Sequence, residues 1–219
     1  MSLQKAFLFD LNGTMINDME YHVKGWSDIL NNELGAGLSY EEVKNHMYGK
    51  NGEMLVRIFG EGRFTDIEMK ALEQRKEQNY QQAYLPELAL IKGLGEFLDK
   101  ALSHNIPMGI GSAAIPFNID FVLDNLNLRH YFKAIVSAGD VTLSKPHPET
   151  FTKAAEQLGV HAQDCIVFED APKGVEAAMN AGMKCVVLTT LHTPEEFRRY
   201  PNVIHFVSDY TDPVLQRLL

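Results

Sequence analysis

Residues 5–14 read KAFLFDLNGT. Four apolar residues, Ala6 to Phe9, run straight into the carboxylate of Asp10. A short, unbroken apolar run marks a strand covered on both faces, as in a parallel sheet, whereas a half-exposed antiparallel strand alternates. The same signature recurs at MGIG (108–111), AIVS (134–137), CIVF (165–168), CVVL (185–188) and, more weakly, IHFV (204–207). Helical patterns with start signals lie between most of these runs. Pro116 and Pro148 occupy first-turn positions, and Thr193-Pro194-Glu195-Glu196 reads as a capping box. Strand and helix in alternation predict an α/β fold built on a doubly wound, Rossmann-like parallel sheet.

The rhythm breaks directly after the first strand. Trp26, Ile29, Leu30 and Leu34 follow a helical period, as do Met54, Leu55, Ile58 and Phe59. Ser39 with Glu42 and Thr65 with Glu68 are two further capping boxes. The pattern predicts an all-helical domain over residues 16–88, inserted into an α/β core of residues 1–15 and 89–219, with the chain returning through Leu85-Pro86-Glu87.

Bulk composition narrows the function classes. Of 219 residues 45% are apolar, enough for a sizeable core, and the formal net charge is −9. An acidic chain without a Lys/Arg-rich run is a poor partner for nucleic acid or an anionic membrane. No stretch is long and apolar enough to span a bilayer, and no secretory leader is legible, so a cytoplasmic, monomeric protein is expected. Cys165 and Cys185 both sit in strand-like runs and read as free buried thiols.

In open α/β sheets, sites form at the carboxyl ends of the strands. The first strand ends in Asp10, the second in Gly111-Ser112, and the fourth in Glu169-Asp170; Ser144-Lys145-Pro146 follows the third at a short remove. Asp10, Glu169 and Asp170 offer hard oxygen ligands of the kind Mg²⁺ takes. Ser112, just ahead of a helix, can hold a phosphate oxygen beside backbone N–H groups. Lys145 can neutralise charge on a nucleophile and on a phosphate.

FDLNGT, GIGSAA, SKPHPETF and FEDAPKGVEAAMNAGM, in this order, are similar to the motifs of the haloacid dehalogenase superfamily. Within it the chain resembles the branch of β-phosphoglucomutase-like phosphatases with a helical cap, to which EYHVKGW (20–26) and RKEQNY (75–80) also correspond. The resemblance covers nearly the whole chain. It implies that Asp10 is a nucleophile carrying the phosphoryl group of a small phosphorylated metabolite. It implies Mg²⁺ held by Asp10, the backbone carbonyl of Asn12 and Asp170, with Glu169 supporting through water. Thr14, Ser112, Ala113 and Lys145 would then lie at the phosphate, and His22 and Lys76 would be substrate contacts from the cap.

Two positions depart from the family pattern. The residue two after the nucleophile is an aspartate in the family's phosphatases and phosphomutases, where it shuttles protons; here it is Asn12, whose amide has no proton to exchange near neutral pH. The second departure is at the positions where a β-phosphoglucomutase grips a distal phosphate. They hold Gly52 and Ala113-Ala114-Ile115-Pro116. The expectation is therefore an attenuated Mg²⁺-dependent phosphohydrolase. A phosphomutase of the β-phosphoglucomutase type and a phospho-ligand-binding protein without turnover are the alternatives. His22 is a candidate for part of the missing proton work.

Overall fold

The computed structural model describes residues 5–219. The chain divides into two compact units, Met1–Asn17 with Ala89–Leu219, and Asp18–Leu88.

The first unit is built on six strands: β1 (Ala6–Phe9), β2 (Met108–Gly111), β3 (Ala134–Val136), β4 (Cys165–Glu169), β5 (Lys184–Leu188) and β6 (Val203–Val207). They form one sheet in the order β3-β2-β1-β4-β5-β6, and every neighbouring pair is parallel. The order turns back at β1, which lies between β2 and β4. Such a reversal opens a crevice at the carboxyl ends of the central strands.

The continuous apolar spelling of β1 follows from that position, since both of its faces are covered. On one face Phe9 stacks on its register partner Phe168 at 4.7 Å, and Phe97 and Tyr210 complete an aromatic cluster. On the other, Ala6 and Leu8 join Phe151, Val167, Val175 and Val187 in a buried aliphatic layer. Cys165 and Cys185 are free and buried within it. Burial pushes the Cys165 thiol up to about 11, so at neutral pH it is an unreactive S–H.

The second unit consists of α1 (Met19–Ser27), α2 (Tyr40–His46), α3 (Asn51–Phe59) and α4 (Asp66–Tyr84). Val23, Trp26, Ile29, Leu30, Val43, Met54, Leu55 and Leu72 make its core. Both capping boxes form: Ser39 N–H donates to Glu42 Oε2 at 2.8 Å, and Thr65 N–H donates to Glu68 Oε2 at 2.8 Å. The helical period through Ile29 and Leu30 is realised as a π-helical segment, Asp28–Glu33, that continues α1.

Four α-helices flank the sheet: α5 (Leu94–Ser103), α6 (Pro116–Asn125), α7 (Glu149–Leu158) and α8 (Pro172–Asn180). Pro116 opens α6 in its first turn, but Pro148 is the N-cap of α7 rather than a first-turn residue. The Thr193 capping box opens only a short 3₁₀ turn, Pro194–Phe197.

Candidate active site

Parallel strands all end on one rim, and the central three deliver its functional groups. Asp10 follows β1 and its N–H donates to Phe168 O at 3.0 Å, continuing the ladder to β4. Ser112 follows β2, with its N–H on Val136 O at 2.9 Å. Glu169 is the last residue of β4 and Asp170 the next. Because β1 lies between β2 and β4, these side chains stand side by side.

Lys145, on the loop between β3 and α7, closes the group. Its ammonium donates to Asp10 Oδ1 at 2.7 Å and to Glu169 Oε1 at 2.8 Å, and lies 4.5 Å from the Phe151 ring centroid. Burial alone would lower its pKa, but the charges of Asp10 and Glu169 outweigh burial and raise it, so Lys145 is a fixed cation. Glu169 is saturated: besides Lys145 it accepts the N–H groups of Asp170 and Ala171 on Oε2, at 2.9 and 2.8 Å.

Asp170, 3% exposed, is the uncompensated member. Burial, then repulsion from Glu169 and Asp10, raises its carboxyl well above the ordinary range, against the opposing pull of Lys145. The site is thus short of positive charge. Among the described residues no three His, Cys, Asp or Glu side chains close into a metal cage. Mg²⁺ does not need one, since it is usually held by one or two carboxylates with water and substrate oxygens. Asp10 and Asp170, hard oxygen donors whose mutual repulsion a divalent cation would relieve, fit such an ion.

The loop after Asp10 is tightly wound. Leu11 O accepts N–H bonds from Met15 at 2.8 Å and Ile16 at 3.3 Å, and the Asn12 backbone bridges to Ile16. Gly13 takes φ +73°, and a β-carbon there would sit 2.1 Å from Asp170 Oδ2, so only glycine lets the loop lie against that carboxylate. Thr14 Oγ1 donates to Asp170 Oδ1 at 3.4 Å. Two residues that sequence reading passed over pin this loop. Thr190 Oγ1 donates to Gly13 O at 2.6 Å, and the Tyr210 hydroxyl donates to Thr14 O at 3.0 Å. Thr190 lies just past the end of β5, so extending the strand-end rule one strand further would have found it; nothing local marks Tyr210. Ala113 is exposed, and the neighbouring Ala114 N–H donates to Ser112 Oγ at 3.1 Å.

His22 and Lys76 belong to the helical unit, and there they meet each other. Lys76 Nζ makes a short contact with His22 Nδ1 and donates to both Glu77 oxygens at 3.0 Å. His22 Nε2 is 3.1 Å from Asp18 Oδ2, which also accepts from the Tyr80 hydroxyl at 2.5 Å. Although its helix is rich in charged side chains, Lys76 is buried, 1% exposed. Burial lowers its pKa against the opposing charges of Glu77 and Asp18. Lys50 precedes α3 as its N-cap, Asn51 bonds Glu73 and Glu77, and Arg75 pairs with Glu33.

Residues 7–188 match the family described as haloacid dehalogenase-like hydrolase. The chain belongs to that family. It is accordingly an enzyme, a hydrolase. It is 32% identical over 184 residues to a fructose-1-phosphate phosphatase of Escherichia coli, covering 83% of this chain and 94% of the relative. It is also 32% identical over 196 residues to the β-phosphoglucomutase of Bacillus subtilis, covering 83% and 82%. Among solved structures, a β-phosphoglucomutase from Clostridium difficile superposes with a TM-score of 0.84 at 26% identity, over 98% of this chain and 95% of that one. This haloacid dehalogenase-like hydrolase is thus similar in sequence to both a phosphatase and a phosphomutase, and in fold to a phosphomutase.

Proposed function

We propose that the chain is a Mg²⁺-dependent phosphohydrolase for a small, singly phosphorylated metabolite of the sugar-phosphate kind. It works through an aspartyl phosphate on Asp10 and is slowed at proton transfer by Asn12. The observation that carries this reading is the buried Lys145 ammonium held between Asp10 and Glu169, with Asp170 and Ser112 on the same rim. The relatives named as sugar-phosphate enzymes support the substrate class. The helical unit is read as the family's cap, and the cytoplasm as the compartment in which two free thiols persist.

In this mechanism an Asp10 oxygen attacks phosphorus and the bond to the leaving oxygen breaks. Ser112 and Lys145 hold the phosphate oxygens, and Lys145 stabilises their developing charge. Mg²⁺, held by Asp10, the Asn12 carbonyl and Asp170, would supply further charge neutralisation at the phosphate. Water then attacks the aspartyl phosphate and frees Asp10. Both steps need a proton moved, and Asn12 moves none. His22 is a weak substitute, because both of its ring nitrogens are engaged by Asp18 and Lys76.

The metal assignment has a thermal test. A carboxyl whose folded pKa is raised stabilises the fold through its bound proton. That stability is fully present below about pH 4, the ordinary carboxylate value, and is lost as pH climbs through the raised folded value of Asp170. Mg²⁺ replaces the proton, so its stabilisation should grow with pH across that window. Thermal unfolding with and without Mg²⁺ should show a rising increment in Tm, and Asp170→Ala should lose it. An equal increment in that variant would remove the metal from this site.

The substrate class has a kinetic test. The stretch after Ser112, Ala113 to Pro116, offers no polar side chain, and Gly52 in the first turn of α3 offers none either. A coupled assay should therefore detect no useful conversion of β-glucose 1-phosphate to glucose 6-phosphate, and a sugar bisphosphate should bind no better than a monophosphate. Robust mutase turnover would replace the phosphatase reading with the phosphomutase one.

A further inference from the structure

The geometry points to Gly174 as a positioning residue for Glu169, and through Glu169 for Lys145. The inference rests on the reading of this rim as a phosphoryl-transfer site. Gly174 is buried in the first turn of α8, and its N–H donates to Ala171 O at 3.0 Å. Its φ is not among the positive values of the chain, so the backbone gives no reason for glycine. Glycine is a poor helix former, and on helical propensity alone alanine would be preferred.

The reason lies in the space above its α-carbon. A β-carbon at position 174 would stand 1.6 Å from Glu169 Oε1, 1.9 Å from its Cδ and 2.5 Å from its Oε2. The three nearest atoms all belong to that one carboxyl group. Both oxygens are in use: Oε2 accepts two backbone N–H groups at the start of α8, and Oε1 accepts Lys145. Gly174 thus keeps open the volume in which Glu169 lies flat on the helix start, turned toward Lys145.

Filling that volume should move Glu169 rather than unfold α8, because what stands in the way is the far end of a flexible side chain and not backbone. Glu169 would leave the two amides, and Lys145 would keep only Asp10 of its two carboxylate partners. Gly95 in α5 supplies the control. It is also helical, and a β-carbon there meets only Leu90 Cδ1 at an ordinary 3.8 Å.

The experiment compares Gly174→Ala, Gly95→Ala, Glu169→Asp and the double variant Gly174→Ala/Glu169→Asp, by Mg²⁺-dependent hydrolysis of an aryl phosphate and by crystallography. Gly95→Ala should keep wild-type kcat. Gly174→Ala should lose roughly 10–100-fold in kcat, the range for groups that orient the ligands of a metal site. Glu169→Asp should lower kcat in the wild-type background but raise it in the Gly174→Ala background, since the shorter side chain relieves the clash. That reversal of sign is not available to a merely structural role. Unchanged kcat in Gly174→Ala, or a loss with Glu169 still bonded to Lys145 and both amides in the crystal, overturns the inference. If Gly174→Ala fails to fold and the double variant folds, the clash is confirmed; if both fail, the helix itself needs Gly174 and the inference is wrong. If the wild-type protein hydrolyses no phosphate ester, the proposed function falls separately. Gly174 is then judged on the crystal alone, where a displaced Glu169 supports its role and a retained one refutes it.

Discussion

Asn12→Asp is expected to raise phosphatase activity by about 10²-fold, within the range that a general acid–base group contributes. The change is nearly isosteric and leaves the backbone carbonyl of residue 12 in place, so metal and phosphate binding should shift little. The gain should be largest for alkyl phosphates, whose leaving oxygen needs a proton, and smaller for aryl phosphates where the first step limits. Where hydrolysis of the aspartyl phosphate limits, both classes should improve. Steady-state kinetics on one substrate of each class reads the difference. No gain over an already efficient native enzyme would mean that another group moves the proton, and His22→Ala should then be inactive. No turnover in either form, with phosphate analogues still bound, would favour a binding protein. Peptide mass spectrometry should first verify the amide, because Asn12-Gly13 is a deamidation-prone pair and a restored carboxylate would counterfeit native activity.

Asp10→Asn should have the larger effect in the opposite direction. It removes the proposed nucleophile outright, so kcat should fall by more than the roughly 10⁴-fold that marks the upper end of general acid–base loss. The fold should survive, because an amide of the same shape can still accept the bond from Lys145, which keeps Glu169 at 2.8 Å. Circular dichroism and thermal unfolding would verify that the loss is chemical. Residual activity within tenfold of wild type would show that the phosphoryl group never passes through Asp10.

The strand-forming half of this architecture is plain in the sequence for a physical reason. A parallel strand buried on both faces must be apolar at consecutive positions, so β1, β2, β4 and β5 announce themselves, and the polar residues that end them fall on the rim by construction. Asp10, Ser112, Glu169 and Asp170 were legible in that way. Lys145 was legible as a residue a short remove past the third strand, but nothing local fixes how far a loop residue reaches, so its contacts with Asp10 and Glu169 were not. The environment of Lys76 was not legible at all. Its helix spells DIEMKALEQRKEQNYQQAY, which carries no clear apolar face. Its ammonium meets polar partners 54 and 1 residues away in sequence, His22 and Glu77, and lies 5.7 and 5.4 Å from the centroids of the Trp26 and Tyr80 rings. Tyr210 escaped for a related reason: its hydroxyl acts on a backbone carbonyl 196 residues distant, and such a contact leaves no pattern in the chain, whereas Thr190 is marked by its place just past β5.

In the proposed mechanism, phosphoryl transfer passes through Asp10 and stalls for want of a proton carrier at position 12. Acid-quenched mass spectrometry during turnover of an aryl phosphate with Mg²⁺ tests it most directly. The native protein should carry one phosphoryl group, on the peptide that contains Asp10. That adduct should decay more slowly than in Asn12→Asp and be absent in Asp10→Asn. Steady turnover with no phosphorylated enzyme at any quench time, or an adduct that persists in Asp10→Asn, would contradict it.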